Sequence, residues 1–369
     1  MSADDRTIII VSPEFPPTQG GVADHAAMLQ KSLRRNIKTL VLTTGDEGIQ
    51  NWQDHDAIER AVLARTMSGL STPRRTTVVW EYVPELYGRG GVNRALEKAM
   101  AGLKVYGIKQ VLLAHEIARR WSAVPNHAYS AWQQRQQWLD VTKHADAIGL
   151  SSQPAFDHWK PKLPGKHHFL FPSPSNILVH HPQRDLLQDL PPKEFILLFF
   201  GAVNAPKQFG WVVDAHKALL SQGVNARLVR IGHGPCKPSG HGPFLNLGSL
   251  PAPEVSTWLA RADLITLPFK DGVSERRGSF MAALAHGRPV LTTLGPATGK
   301  SLRESTAFFS TESKDRAAFI QKTLQLVDQP AQRNHVASQG RDLYESEYSW
   351  PCVTDQLLGI LEKLETPEK

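Results

Sequence analysis

The stretch DGVSERRGSFMAALAHGRPVLTT, residues 271–293, concentrates anion chemistry in a few positions. Arg276 and Arg277 supply two guanidinium forks, Gly278 a position without a side chain and Ser279 a hydroxyl, where a loop passes into a helix. The start of a helix presents unpaired N–H groups and the positive end of its dipole, so a phosphate or diphosphate is the ligand such a turn suits. Lys207, in FFGAVNAPKQFG, lies just past an apolar run with Gly201 before it and Gly210 beyond. Its ammonium is placed either as a further phosphate-binding charge or as an ordinary solvated lysine. Gly232 and Gly234, in RIGHGP, follow another apolar run and permit close backbone approach to a nucleotide base or phosphate. Gly20 and Gly21, in PEFPPTQGGVADH, admit two readings: a second anion approach at a helix N-terminus, or a loop that needs positive φ. His115, in LLAHE, stands at the carboxyl end of a strand, where an imidazole is well placed for function.

Other chemistries find less support. The pairs His167, His168 and His180, His181 are adjacent in sequence, and adjacent strand residues point to opposite faces, so neither pair chelates; no metal is assigned. Neither GxGxxG nor GxxxxGK[ST] occurs, which argues against a nicotinamide dehydrogenase and a P-loop NTPase.

These residues must be held by loops that follow strands. RTIIIVS, KTLVLTT, TTVVWEYV (76–83), QVLLAH (110–115) and DAIGLS (146–151) read as strands. Helical segments over about 22–33, 92–104 and 128–144 separate them, which implies βαβ units and a parallel sheet. A second set begins at EFILLFFG (194–201), followed by a helix over about 209–221 and strands at 226–232, 263–269 and 288–293. Between the sets, HHPQRDLLQDLPPKE (180–194) reads as a linker. The expected organisation is two Rossmann-like doubly wound domains, 1–185 and 186–345, with a last helix in 346–369 packing back towards the first. Ligands of such folds bind beyond the carboxyl ends of the strands, in a cleft where two such domains face each other.

The composition agrees with a folded, soluble protein: 369 residues, 41% hydrophobic and 21% charged. Cys236 and Cys352 are the two cysteines, too few for a disulfide framework and consistent with a reducing compartment. MSADDRTIIIVS lacks the basic start and long apolar core of a secretory signal. FILLFFGAV (195–203) is about half the ~18 to 20 residues needed to span a bilayer. A net charge of +7 favours an acidic partner, but no Lys/Arg block or nucleic-acid motif accompanies it.

PPTQGGVADH, FFGAVNAPKQFGWVVDAHKALL, RLVRIGHGP, LGSLPAPEVSTWLARADLITLPF and GSFMAALAHGRPVLTT, in this order and spacing, resemble the family-four glycosyltransferases of the GT-B fold across nearly the whole chain. YVPELYGRGG (82–91), AHE and PSPSN (172–176) look like the bacterial subset that assembles surface and exopolysaccharides. The resemblance implies metal-independent transfer of a sugar from a nucleotide diphosphate donor to a saccharide or lipid-linked saccharide acceptor, with retention at the anomeric carbon. The donor is a substrate, and no cofactor is implied. It assigns Lys207 to the donor diphosphate, Gly20 and Gly21 to the glycine loop, and His115 to the cleft histidine of the first domain.

In the family, an arginine usually follows the strand-end glycine, where Ala202 stands here. The family's paired glutamates fall on Ser274 and Ala282; Glu275 is one residue late for the first, and Ala282 and Ala283 leave the second unfilled. In the mechanism proposed for this fold the leaving phosphate takes the acceptor proton, so the cations Lys207, Arg276 and Arg277 matter more than the carboxylates. The expected site is therefore His115, Lys207, Arg277 and Glu275 for catalysis, with Gly20, Gly21, Arg276, Gly278, Ser279, Gly232 and Gly234 around the donor. A cytoplasmic enzyme, peripheral at an anionic inner membrane face, is the expectation, with no nucleic acid as partner. The rivals are a non-catalytic GT-B binding subunit of a polysaccharide-assembly complex and a sugar-nucleotide epimerase.

Overall fold

The computed structural model describes residues 6–18, 20–68, 71–119, 121–188, 190–191, 193–202, 207–234 and 242–365, the side chains of Arg89 and Arg184 excepted. The chain divides into two compact units, Met1–Pro172 with Val353–Lys369, and Ser173–Cys352.

The first unit is built on a parallel sheet of β1 (Thr7–Val11), β2 (Lys38–Leu42), β3 (Thr76–Tyr82), β4 (Lys109–Ala114), β5 (Ala147–Leu150) and β6 (His167–Leu170). Its order is β2-β1-β3-β4-β5-β6. β1 and β3 are buried at every position, as central strands covered on both faces must be, and their β-branched runs suit that place. The helix Arg94–Val105 shows why the segments between strands coil. Leu96, Ala99, Met100 and Leu103 fall on one buried face, and the Asn93 side chain accepts from the N–H groups of Ala95 and Leu96 at the start. Gly107, at φ 77, lets the chain turn out of the helix towards β4.

The second unit repeats the plan with β7 (Phe195–Phe200), β8 (Ala226–Ile231), β9 (Phe244–Asn246), β10 (Leu264–Leu267), β11 (Val290–Leu294) and β12 (Phe309–Glu312). The order is β12-β11-β10-β7-β8-β9. The chain enters at the middle strand β7, runs outward to β9, then crosses back to β10. The change of direction lies between β7 and β10, the switch point at which doubly wound sheets bind ligands.

The division differs from the expected boundary near 185. Residues after Pro172 are tied to the second unit by hydrogen bonds that composition does not show. Tyr344 Oη accepts from the Ser175 N–H at 3.3 Å, and Trp350 Nε1 donates to the Ser175 carbonyl at 2.9 Å. Ser256 Oγ accepts from the His180 N–H at 2.9 Å, and Thr257 Oγ1 accepts from the Gln183 N–H at 3.0 Å. The last helix, Trp350–Glu365, starts in the second unit and from Val353 onward belongs to the first. There Thr354 Oγ1 meets Ser32 Oγ at 3.1 Å. Among the described residues no helix is long and apolar enough to cross a membrane.

Candidate functional site

In the second unit, three strand-end segments converge at the switch point. Gly201, directly after β7, has φ 116, and a Cβ there would lie 1.9 Å from Lys207 Nζ and 3.7 Å from Ser279 Cβ. Glycine is thus what lets the Lys207 ammonium and the first turn of the helix Gly278–Ala285 approach the end of β7. A backbone bridge to Phe269, just past β10, holds Lys207 in place. Its ammonium donates to the Phe200 carbonyl at 3.1 Å and lies 5.6 Å from the Phe199 ring centre. Among the described residues no carboxylate pairs with it. Burial first, and then the nearby positive charge of Arg277, bring the Lys207 ammonium down from 10.5 to about 7. Among the described residues the ammonium thus has a positive neighbour and no carboxylate of its own, an arrangement that can take up an anion.

Arg277 caps the helix Gly278–Ala285, whose first turn carries no acidic residue. Its guanidinium donates to Asp271 Oδ1 at 2.6 Å and lies 4.8 Å from the Phe269 ring centre. The same aromatic ring therefore supports both cations, with Lys207 Nζ 5.7 Å from its centre. Arg276, Gly278 and Ser279 are half-buried in the same turn. After β8, Gly232 at φ 133 packs so closely that a Cβ would lie 2.3 Å from the Gly201 carbonyl oxygen. Gly234, at φ 106, continues this turn. Arg230, 1% exposed, braces it by donating to the His233 and Gly234 carbonyls at 2.7 and 3.0 Å. The structure thus brings together Lys207, Arg277, Ser279 and Gly232.

Glu275 takes a different position. It is 1% exposed, its carbonyl accepts from the Ser173 N–H at 3.1 Å, and its charge adds to burial in raising the neighbouring Tyr348 hydroxyl. The residue is thus enclosed within the second unit. The two counted acidic positions, Ser274 and Ala282, are both fully buried. The Ser274 hydroxyl has no hydrogen-bond partner among the described residues.

In the first unit, His115 follows β4 and meets Glu81 of β3, its Nε2–H donating to Glu81 Oε2. The other carboxylate oxygen accepts from Nδ1 of His25 at 3.1 Å, one turn into the helix Gly21–Leu33. The two imidazole rings stand edge to face, 4.5 Å between centres. Glu81 is fully buried; burial alone would raise its carboxyl, but His25 and His115 outweigh it and hold it at about 2. Burial pushes the His25 imidazole down. An anionic Glu81 accepting two N–H bonds fixes the His115 tautomer, leaving Nδ1 of that ring as the atom able to accept a proton. The ligand atoms of His25, Glu81 and His115 all lie within 4.8 Å of one another, a grouping that could hold a metal ion; in this structure hydrogen bonds join them.

Gly20 and Gly21 serve the start of the His25 helix. Gly20 has extended φ 176, and neither glycine has the positive φ that one reading expected. At Gly20 the requirement is space, because a Cβ would lie 2.6 Å from Glu14 Oε2.

Sequence reading missed Glu81, His25, Asp271 and Arg230. Three of them carried a signal: an acid inside the apolar run VVWEYV, a basic residue inside ARLVRI, and an acid six residues ahead of Arg277; His25 carried none.

The two sheets with their flanking helices match solved structures over both units. HepE of Anabaena, in complex with UDP and glucose, is 14% identical, with 97% of this chain and 100% of that chain covered at a TM-score of 0.69. Sucrose-phosphate synthase from Thermosynechococcus elongatus is 12% identical, with 97% and 99% covered at 0.68. The trehalose-6-phosphate synthase OtsA is 12% identical, with 97% and 99% covered at 0.66. The fold is GT-B. Within it, residues 194–329 match the family model described as "Glycosyl transferases group 1", the segment that carries Lys207, Gly232, Arg277 and Ser279. No curated protein matches the sequence.

Proposed function

We propose that the protein is a retaining glycosyltransferase that moves a sugar from a nucleoside diphosphate sugar to a saccharide or lipid-linked saccharide, without a metal ion. The observation that carries this reading is the Lys207 ammonium, unpaired by any carboxylate among the described residues and set beside Arg277 at the switch point of the second unit. The family match over 194–329 and the UDP in the HepE structure support a nucleotide diphosphate as its anion. As the bond from the anomeric carbon to the diphosphate breaks, negative charge grows on the leaving oxygens. Lys207, Arg277 and the first-turn N–H groups with Ser279 stabilise that charge. The acceptor hydroxyl forms the new bond on the same face and passes its proton to the departing phosphate, so no carboxylate nucleophile is needed. His115, its tautomer set by Glu81, is the first unit's candidate for a hydrogen bond to a substrate hydroxyl.

The test is a panel of UDP-, GDP-, ADP- and TDP-sugars, each with saccharide and lipid-linked acceptors, read as nucleoside diphosphate release. Release from at least one donor, abolished in Lys207→Ala, supports the reading. The buried alanines at 282 and 283 favour the second reading, a non-catalytic binding subunit, which predicts nucleotide binding with no turnover and no effect of replacing His115.

A further inference from the structure

One surface of the first unit is unlike the rest. Large apolar side chains are exposed in the loop that leaves His115 and the start of the helix it enters, Pro125–His144: Trp121 at 60%, Val124 at 51%, Tyr129 at 60% and Trp132 at 49%. They form a row along this one segment, and two ring contacts order it. The Tyr129 and Trp132 rings stack with centres 6.0 Å apart. One turn on, the Arg135 guanidinium lies 4.6 Å from the centre of the Trp121 ring and donates to the Arg119 and Ala131 carbonyls at 3.1 and 2.8 Å. The loop is thus stapled to the helix by a cation–π contact and a hydrogen bond, with Trp121 still exposed. The opposite face of the same helix buries Ala131, Gln134, Trp138 and Val141. The helix therefore has a core side already satisfied, and its outer aromatics add nothing to the core.

We propose that this row is where the protein docks on an anionic lipid bilayer. Two features select that occupant. Tryptophan and tyrosine beside arginine is the mixture that partitions to the headgroup level, where a ring needs an apolar and a wet side at once. Within the segment that carries the row the charge also has one sign. From Ile117 to Leu139 the sequence contains no Asp or Glu, while Arg119, Arg120, His127 and Arg135 fall within it. Arg119 is already engaged by Glu85, an acid from outside the segment, at 3.2 Å, whereas Arg135 lies against the Trp121 ring and gives the row a cation. The other exposed apolar residues of this unit, Met67, Val105 and Tyr106, lie at the ends of other helices and do not join it. Docking here would put the loop after His115 at the lipid surface, which suits a lipid-linked acceptor. That link rests on the proposed glycosyl transfer, whereas bilayer binding itself does not.

The test is co-sedimentation of the full chain, without donor, with vesicles of phosphatidylcholine alone and of phosphatidylcholine with roughly one third phosphatidylglycerol. Binding is expected to the anionic vesicles only, falling with added salt. Trp121→Ser with Trp132→Ser should weaken it roughly tenfold, and Arg135→Gln about fivefold. Val124→Glu provides an independent variant if the double substitution does not fold, as judged by its melting temperature. Unchanged binding in these variants, or equal binding to neutral vesicles, overturns the proposal. So does a wild-type chain that pellets without vesicles through the same residues, or one in which a soluble oligosaccharide protects them and vesicles do not. Donor turnover measured separately distinguishes a failure of this surface from a failure of the enzymatic reading.

Discussion

Lys207→Met removes one ammonium while keeping an unbranched side chain, and the structure gives its two effects opposite signs. With Arg277 nearby and, among the described residues, only the Phe200 carbonyl accepting from it, the ammonium is a cost to the free protein and, in the proposed diphosphate complex, an asset. Loss of a charge-assisted contact costs about 1.5 to 3 kcal/mol, so UDP or the cognate nucleotide should bind roughly 10- to 150-fold more weakly. The stability effect follows from linkage. The folded value, about 7, lies below the ordinary 10.5, so between those two pH values the unfolded chain holds more protons. Stability of the wild type therefore rises with pH across that window, and the penalty is fully present below pH about 7. The Met variant should melt higher than wild type at pH 6, with the difference closing towards pH 10. An anion restores the charged form, so nucleotide binding by wild type should take up a proton above pH about 7. Calorimetry in buffers of different ionisation enthalpy reads that uptake, and affinity should fall by up to about tenfold per pH unit there. A Met variant that binds as tightly as wild type, or melts lower at pH 6, would refute the reasoning.

Glu81→Gln should lower kcat by on the order of 10²-fold, leave KM for the donor nearly unchanged and shift the pH–rate profile, because the His115 tautomer is no longer imposed. It should also flatten the acid limb of stability. Glu81, held at about 2 against an ordinary 4.5, contributes stability above pH 4.5 that is lost as pH falls towards 2; melts from pH 7 to 3 read the slope. His25, held below its ordinary 6.5 by burial, adds a loss in the same direction beginning below pH 6.5. Asp271→Asn breaks the ion pair with Arg277, whose side chains are 10% and 15% exposed. It should cost about 3 kcal/mol, read as a lower denaturant midpoint. Gly232→Ala forces a Cβ against the Gly201 carbonyl at positive φ and should cost roughly 1 to 3 kcal/mol and weaken nucleotide binding together; wild-type melting and affinity would show that the turn relaxes.

The strand–helix alternation was legible because its carriers are local. FILLFF and TIIIV are apolar runs of strand length, and both became central strands buried along nearly all their length. β9 and β12 escaped notice because each is short and half-exposed at a sheet edge, where no apolar period is required. β6, another edge strand, contains the paired histidines of HHFL, which read as polar. The boundary near 185 followed composition, but the hydrogen bonds of Ser175 reach residues about 170 positions away. The candidate site divides in the same way. Lys207, Arg277 and Gly232 follow strands and were visible by position. The His25–Glu81–His115 group joins residues 56 and 34 positions apart, a juxtaposition that only the β1–β3–β4 neighbourhood creates. Glu275 had the right chemistry and the right neighbours in sequence, but its burial beside a half-buried Arg276 depends on the three-dimensional turn and could not be read from spacing.

The central claim, sugar transfer driven by the cations of the second unit, is tested most directly by isotope-labelled nucleotide sugar. Label is followed into saccharide and lipid-linked acceptors for wild type and Lys207→Met, and the anomeric configuration of the product is read by NMR. The expected result is labelled product with the donor's own anomeric configuration, undiminished by a metal chelator and lost in the Met variant. Tight donor binding with no labelled product in any acceptor, or transfer that survives the loss of Lys207, would contradict it.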